Sequence, residues 1–403
     1  MTESTITRVT GGAFGMAATY AAVLALADTF DVAGSELRDW AGLGVRTMTD
    51  PGLAASAVWS PATFALAEAA VLAATTGPDG VLVESLGWEA DAVLVRGVVA
   101  GFETTDGLVR AWMQPLDQAL VEHAFRATDP QGSSGLVALA YGSDGHPSVH
   151  PVHVDVPSSH DQPSDVTGLI RQLQHVAALS HGSDSPYNGT IEIQTISAQD
   201  GDRHIVYLPG TDDMTTLPWT HDDDVRDLAT DLLLMAGQDN SYQQGIVDAM
   251  AQAGIDPRDP VLLVGHSQGG MEAAAILGHG CDYHVTHVVT AGSPTAQVPG
   301  FPDGSHVLSL EHEGDIVPLT DGAPNPDSVQ QVTVSFTDDA GPTGVVGMHA
   351  YDHYLAGAAA ADASTDPSIL EQVASLHDGG FLANGDGPRP DVTSQVFQVV
   401  REP

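Results

Sequence analysis

The sequence predicts an α/β protein: a mostly parallel sheet flanked by helices, preceded by an all-helical N-terminal region. Three observations predict it. The apolar run Pro260 to Val264 leads into Gly265-His266-Ser267-Gln268-Gly269, and then into the helix formers Met271 to Leu277. From Thr190 onward, segments of strand character alternate with segments of helical character, the pattern of parallel strands joined by crossover helices. Before residue 128, apolar residues recur at helical spacing without strand alternation.

Residues 1–128 form the expected helical domain. Met16 to Leu37 is helical in spacing, and Asp39-Trp40-Ala41-Gly42 ends it, with Trp40 packed in the turn. Gly11 to Ala27 is uncharged and ends Ala-Leu-Ala, which superficially has the outline of a signal-peptide end; its Ala-, Gly- and Thr-rich middle reads as ordinary helix. Ser60-Pro61 is a helix-start pair, Ser as cap and Pro at the first helical position. Phe64 to Ala74, Gly80 to Phe102 and Leu108 to Phe125 continue in the same style.

Residues 129–165 read as a linker. Asp129 to Gly135 is a junction, and His146, His150, His153 and His160 lie among Pro, Ser and Asp. Histidine is a common metal ligand, but Pro147 and Pro151 break any regular spacing and no local Glu or Cys completes a set.

Residues 166–403 form the expected α/β domain. Val166 to Leu179 is an amphipathic helix. Ile191 to Ile196 and Arg203 to Leu208 are strands about a Gly201-Asp202 turn. Helices follow at Asp223 to Met235 and Tyr242 to Gly254. Further strands fall at Pro260 to Val264, His284 to Thr290, His306 to Leu310 and Val329 to Phe336.

Composition narrows the function classes. The formal net charge is −41, and all 12 basic residues are Arg. Such a field repels phosphate backbones and anionic membrane surfaces, so a nucleic-acid partner is not expected. The acids are scattered, not blocked, which is a habit of composition more than a binding feature. Cys281 is the single cysteine, so no internal disulfide forms and no cysteine-based zinc site is expected. No long apolar run spans a membrane, and the default expectation for localisation is the cytoplasm, with signal-less secretion as the other route.

A Gly-x-Ser-x-Gly turn between strand and helix exposes its serine at a sheet edge and aims the helix N-terminus at it, the arrangement of a serine nucleophile. Ser267 then needs a base and an orienting carboxylate, which follow the serine in chain order in this kind of site. Asp315 sits just past the strand His306 to Leu310; Glu311 and Glu313 are rivals nearer the strand. His349 lies in the loop before an Ala-rich helix and suits a base that must reach across; His353, within that helix, is the alternative. Gln268 N–H and an N–H from Pro209-Gly210-Thr211, with Thr211 as candidate, supply the oxyanion donors, and the Thr211 hydroxyl is a possible third.

Val206 to Thr211, Gly265 to Gly270, Ala291-Gly292-Ser293-Pro294 and Glu311-His312-x-x-Asp315-Ile316-Val317-Pro318 resemble blocks of actinobacterial α/β-hydrolase-fold proteins and, distantly, of fungal-type class 3 lipases. The resemblance covers residues 190–355. It implies an α/β-hydrolase fold, a Ser267–Asp315–His349 triad, Thr211 and Gln268 in the oxyanion hole, and an esterase or lipase activity on a small-molecule or lipid ester without metal or organic cofactor. The segment Thr290 to His306 is too short for a lid, which leaves the N-terminal helices or the Asp212 to Thr220 loop to cover the site. Two other classes fit the same chain: a non-catalytic interaction protein on a hydrolase scaffold, and an acyltransferase using the same serine.

Overall fold

A computed structural model of the chain describes residues 4–48, 50–77, 80–86, a few positions up to 96, and 144–402 with gaps at 158, 181–184, 214–221, 236–237, 299, 321–323, 345–346 and 385–388. The expected helix at 108–125, most of that at 80–102, the junction at 129–135 and most of the 212–220 covering loop lie outside the described residues. The chain divides into two units, residues 17–116 and residues 1–16 with 117–403.

In the smaller unit the described elements are helices: α1 (Gly12–Met48, beginning in the larger unit), α2 (Pro51–Trp59) and α3 (Pro61–Thr75). Asp50 caps α2, its Oδ1 accepting from Gly52 N at 2.8 Å and Leu53 N at 3.0 Å. Pro61 does start α3, but the Ser60 hydroxyl bonds Thr63 Oγ1 at 2.9 Å instead of a backbone N–H. The expected turn at 39–42 is absent. α1 runs through it and leaves Trp40 exposed. Gly44 serves packing: a Cβ there would sit 2.3 Å from Thr75 of α3.

The larger unit is α/β, built on one mixed sheet of nine strands: β1 (Thr5–Gly11), β2 (His146–Val152), β3 (Thr190–Ala198), β4 (Gly201–Leu208), β5 (Val261–His266), β6 (Val285–Ala291), β7 (His306–His312), β8 (Gln331–Thr337) and β9 (Asp391–Glu402). Their order is β1-β8-β7-β6-β5-β4-β3-β9-β2. The five strands β4 to β8 are parallel and adjacent in chain order, while β1, β3, β9 and β2 add antiparallel margins. The helices are α4 (Val166–Ala177), α5 (Leu228–Met235), α6 (Ser241–Ala253), α7 (Gln268–His279), α8 (Tyr351–Asp362) and α9 (Pro367–Asp378).

Two hydrophobic layers flank the sheet. Leu169, Leu173, Ala358 and Ile369 of α4, α8 and α9 pack on Tyr207, Val264 and Leu310. Ile246, Met250, Ala273 and Ile276 of α6 and α7 pack on Val206, Leu263 and Val288. Alternate residues of β4 and β5 thus face opposite layers, which explains why β5 is apolar without alternation. Among the described residues no helix is long and apolar enough to cross a membrane.

Two expectations are corrected here. Residues 1–128 are not helical throughout: Thr5 to Gly11 is β1, paired with β8 at the sheet edge. Its β-branched run Thr5-Ile6-Thr7 and Val9-Thr10 favours extended backbone. The histidine-rich part of 129–165 is not irregular linker either: His146 to Val152 is β2, paired with β9 alone. Pro147 and Pro151 are accommodated because an edge strand offers one unpaired side.

Candidate active site

The pieces of the site are the loops that follow the carboxyl ends of β4, β5, β7 and β8, the edge where parallel sheets bind ligands. Ser267 stands between β5 and α7 with φ 54° and ψ −125°, and it is the one described non-glycine residue with positive φ. That conformation is sparsely populated for an L-residue and costs on the order of 1–3 kcal/mol. The turn closes only because its flanking residues lack side chains. A Cβ on Gly265 would lie 2.3 Å from Gly269 O, and one on Gly269 1.9 Å from Leu208 O.

Gln268 is the first residue of α7, where a backbone N–H has no partner within the helix. Its side chain is turned away, Nε2 donating to Asp227 O at 3.0 Å. The loop after β4 presses on the elbow: a Cβ on Gly210 would be 2.8 Å from Ser267 Cβ. Thr211 follows directly, but its hydroxyl donates to Asp231 Oδ2 at 3.0 Å. The expectation that this hydroxyl supplies a third donor at the site is therefore not met. Burial pushes the Asp231 carboxyl up to about 7, against the Thr211 bond that favours its charged form.

Asp315 follows β7 and is fully buried. Its Oδ1 accepts from Val317 N at 2.9 Å; its Oδ2 lies 2.6 Å from His349 Nδ1 and also accepts from the Tyr354 hydroxyl at 2.6 Å. His349 Nε2 is buried and makes no hydrogen bond to the Ser267 hydroxyl or to any other group among the described residues. His266, the residue before Ser267, bridges the two halves: its Nε2 donates to the His349 carbonyl at 3.0 Å, and its ring lies 4.4 Å from the His349 ring and 4.3 Å from that of Tyr351. Burial, with His349 beside it, drives His266 well below the usual histidine range, so it is a neutral Nε2–H donor.

His353 points elsewhere. Its Nδ1 is 2.9 Å from Asp338 Oδ1 and its Nε2 2.9 Å from Pro342 O. Burial opposes its charge, but the Pro342 carbonyl and Asp338 prevail and raise its pKa, as expected of an imidazolium donating from both nitrogens. Glu311 and Glu313, the rival acids, are also committed outside the site: Glu311 accepts from Asn325 Nδ2 at 2.6 Å and Glu313 from Thr7 Oγ1 at 2.5 Å.

His312, Asp338 and His353 bring three potential metal-ligand atoms within 4.8 Å of one another. Gly314 N–H donates to His312 Nδ1 at 3.0 Å, which places the His312 proton on Nε2, facing Asp338 Oδ2 at 3.8 Å. Asp338 Oδ1 is hydrogen-bonded to His353 Nδ1, while His312 Nε2 and Asp338 Oδ2 are buried without a hydrogen-bond partner among the described residues.

The structure thus brings Asp315 and His349 together beside the Ser267 elbow and assigns His353 to a different acid. Tyr354 and Asp231 carry no motif in the sequence, and His266 and Gly292 lie within quoted motifs without a role assigned there; only the contacts of the folded chain reveal what they do. Comparisons of the chain with protein-family models, with curated proteins and with solved structures find no match.

Proposed function

We propose that this chain is a serine carboxylic-ester hydrolase of α/β-hydrolase fold. One observation carries the reading: a serine held at positive φ on a strand-to-helix elbow, with a His–Asp pair on the same sheet edge. A fold does not keep such strain at a polar residue without a use for it. In the proposed cycle Ser267 Oγ attacks the ester carbonyl carbon while His349 Nε2 takes its proton. Asp315 holds the Nδ1–H tautomer and balances the imidazolium. The backbone N–H groups of Gln268 and Thr211 stabilise the oxyanion. The carbonyl–alkoxy bond then breaks, His349 gives the proton to the leaving alcohol, and water repeats the sequence to free the acid and regenerate Ser267. The Ser267–His349 hydrogen bond is left to form when substrate binds, since such contacts are often open in the free enzyme.

A fluorophosphonate probe on the full chain tests this. Labelling should occur on Ser267 and vanish in Ser267→Ala. Ester kcat should fall on order of 10⁶ if the three residues act as a unit. Failure to label, or a loss below tenfold, favours a non-catalytic protein on this scaffold. Product analysis with water and alcohol in competition separates a hydrolase from an acyltransferase, and a p-nitrophenyl ester series reads the acyl preference.

A further inference from the structure

We infer that Tyr354 is a positioning residue that tunes how strongly Asp315 supports His349. Its bearing on catalysis rests on the hydrolase reading; the hydrogen-bond chemistry itself does not. Asp315 Oδ2 is shared: the imidazole Nδ1 and the phenol oxygen each lie 2.6 Å from the same atom. A hydroxyl donating to an anionic oxygen draws charge from it. The carboxylate left to the His349 Nδ1–H is therefore a weaker acceptor than an unshared one.

The phenol cannot swing out of this role. Tyr354 is fully buried, edge-on to Phe336 at 5.8 Å between ring centres. The residue before it, His353, is tied at both ring nitrogens. Gly292 leaves the needed space: a Cβ there would be 2.6 Å from the Tyr354 oxygen and 3.0 Å from His349 Cε1. The groups facing His349 are Asp315 from the loop after β7, Tyr354 from α8 and neutral His266 from β5. Of these, Tyr354 is the donor that competes for the carboxylate oxygen.

The experiment uses histidine-labelled full-length protein, with the His349 resonance assigned by His349→Gln, and follows its titration by NMR. The fluorophosphonate labelling rate is measured against pH in parallel. Tyr354→Phe should raise the His349 midpoint by about half a pH unit and so slow labelling about threefold on the acidic limb. Tyrosine fluorinated at position 354 keeps the volume but donates more strongly, and should lower the same midpoint. It also covers the case in which Tyr354→Phe does not fold. Unmoved midpoints in both variants, with only the melting temperature changed, would reduce Tyr354 to a structural residue. If the parent protein never labels at Ser267, the hydrolase reading fails while the NMR midpoints still decide the role of Tyr354.

Discussion

At the scale of single residues the elbow trades backbone comfort for side-chain placement. Two substitutions at Ser267 remove the hydroxyl equally but differ in backbone. Ala keeps a Cβ at φ 54°, and Gly does not. Gly gains in the unfolded chain some of what it relieves in the folded one. Relief of a strained positive φ should still win here, so Ser267→Gly should unfold at higher denaturant than Ser267→Ala, by about 1 kcal/mol. Equal stabilities would mean that the turn is not strained, and the observation supporting the nucleophile would lose its force. Ser267 follows the β5 run and Asp315 the β7 run, so their places at the carboxyl edge of the sheet were legible in the chain. That of Tyr354 was not: a tyrosine in the first turn of a helix has no sequence mark until the fold sets Asp315 against it. The Thr211 hydroxyl failed for a related reason. Its backbone position follows from the β4 turn, but its rotamer is decided by Asp231, a residue of another element.

At the scale of elements, legibility followed burial. β4 to β7 contribute to the apolar layers on both faces, and β8 alternates with Val332, Val334 and Phe336 in one layer, so their places were evident within a residue or two. Of the margins, β3 was evident as well, but β1, β2 and β9 were not. β1 lies among residues of helical composition, β2 is broken by two prolines, and β9 follows a Gly- and Pro-rich stretch near the chain end with no motif attached. Edge strands are under weak apolar constraint, so their identity depends on partners distant in sequence. Because β1 pairs with β8 over Thr5 to Gly11, the N-terminus is part of the α/β unit and not a detachable prefix. A chain lacking residues 1–11 should expose the β8 edge, melt at lower temperature and scatter light on standing. A truncated chain as stable and as monodisperse as the parent would contradict the role of β1 as an edge guard.

At the scale of the whole molecule, electrostatics divides into two parts that behave differently in salt. The net charge of −41 repels itself, and the screening length shrinks from about 30 Å at 10 mM salt to about 3 Å at 1 M. Added salt should therefore raise the melting temperature through the surface charge. The buried acids are insulated from that effect. Burial pushes Asp224 and Asp231 each up to about 7, with the repulsion of Asp212 adding to it at Asp224 and that of Asp227 at Asp231. Their folded-state affinity for protons exceeds that of the unfolded chain. The protonated form is tolerated in the fold, and stability is lost as the pH rises from about 4 through about 7. Buried histidines such as His266 and His287, depressed by desolvation, contribute in the opposite sense, losing stability as the pH falls through their unfolded range. The raw pH profile mixes the two, and a variant separates them. Asp231→Asn removes one ionisation and leaves an acceptor for the Thr211 hydroxyl. It should melt with the parent near pH 5, where Asp231 is already neutral, and above it at pH 8, where the parent carries a desolvated carboxylate. The gap at pH 8 should persist in 1 M salt, because mobile ions screen a buried group far less than an exposed one. A gap that closes with salt would place the charge of Asp231 at the surface, and one that is the same at pH 5 and pH 8 would show that packing, not ionisation, separates the two proteins.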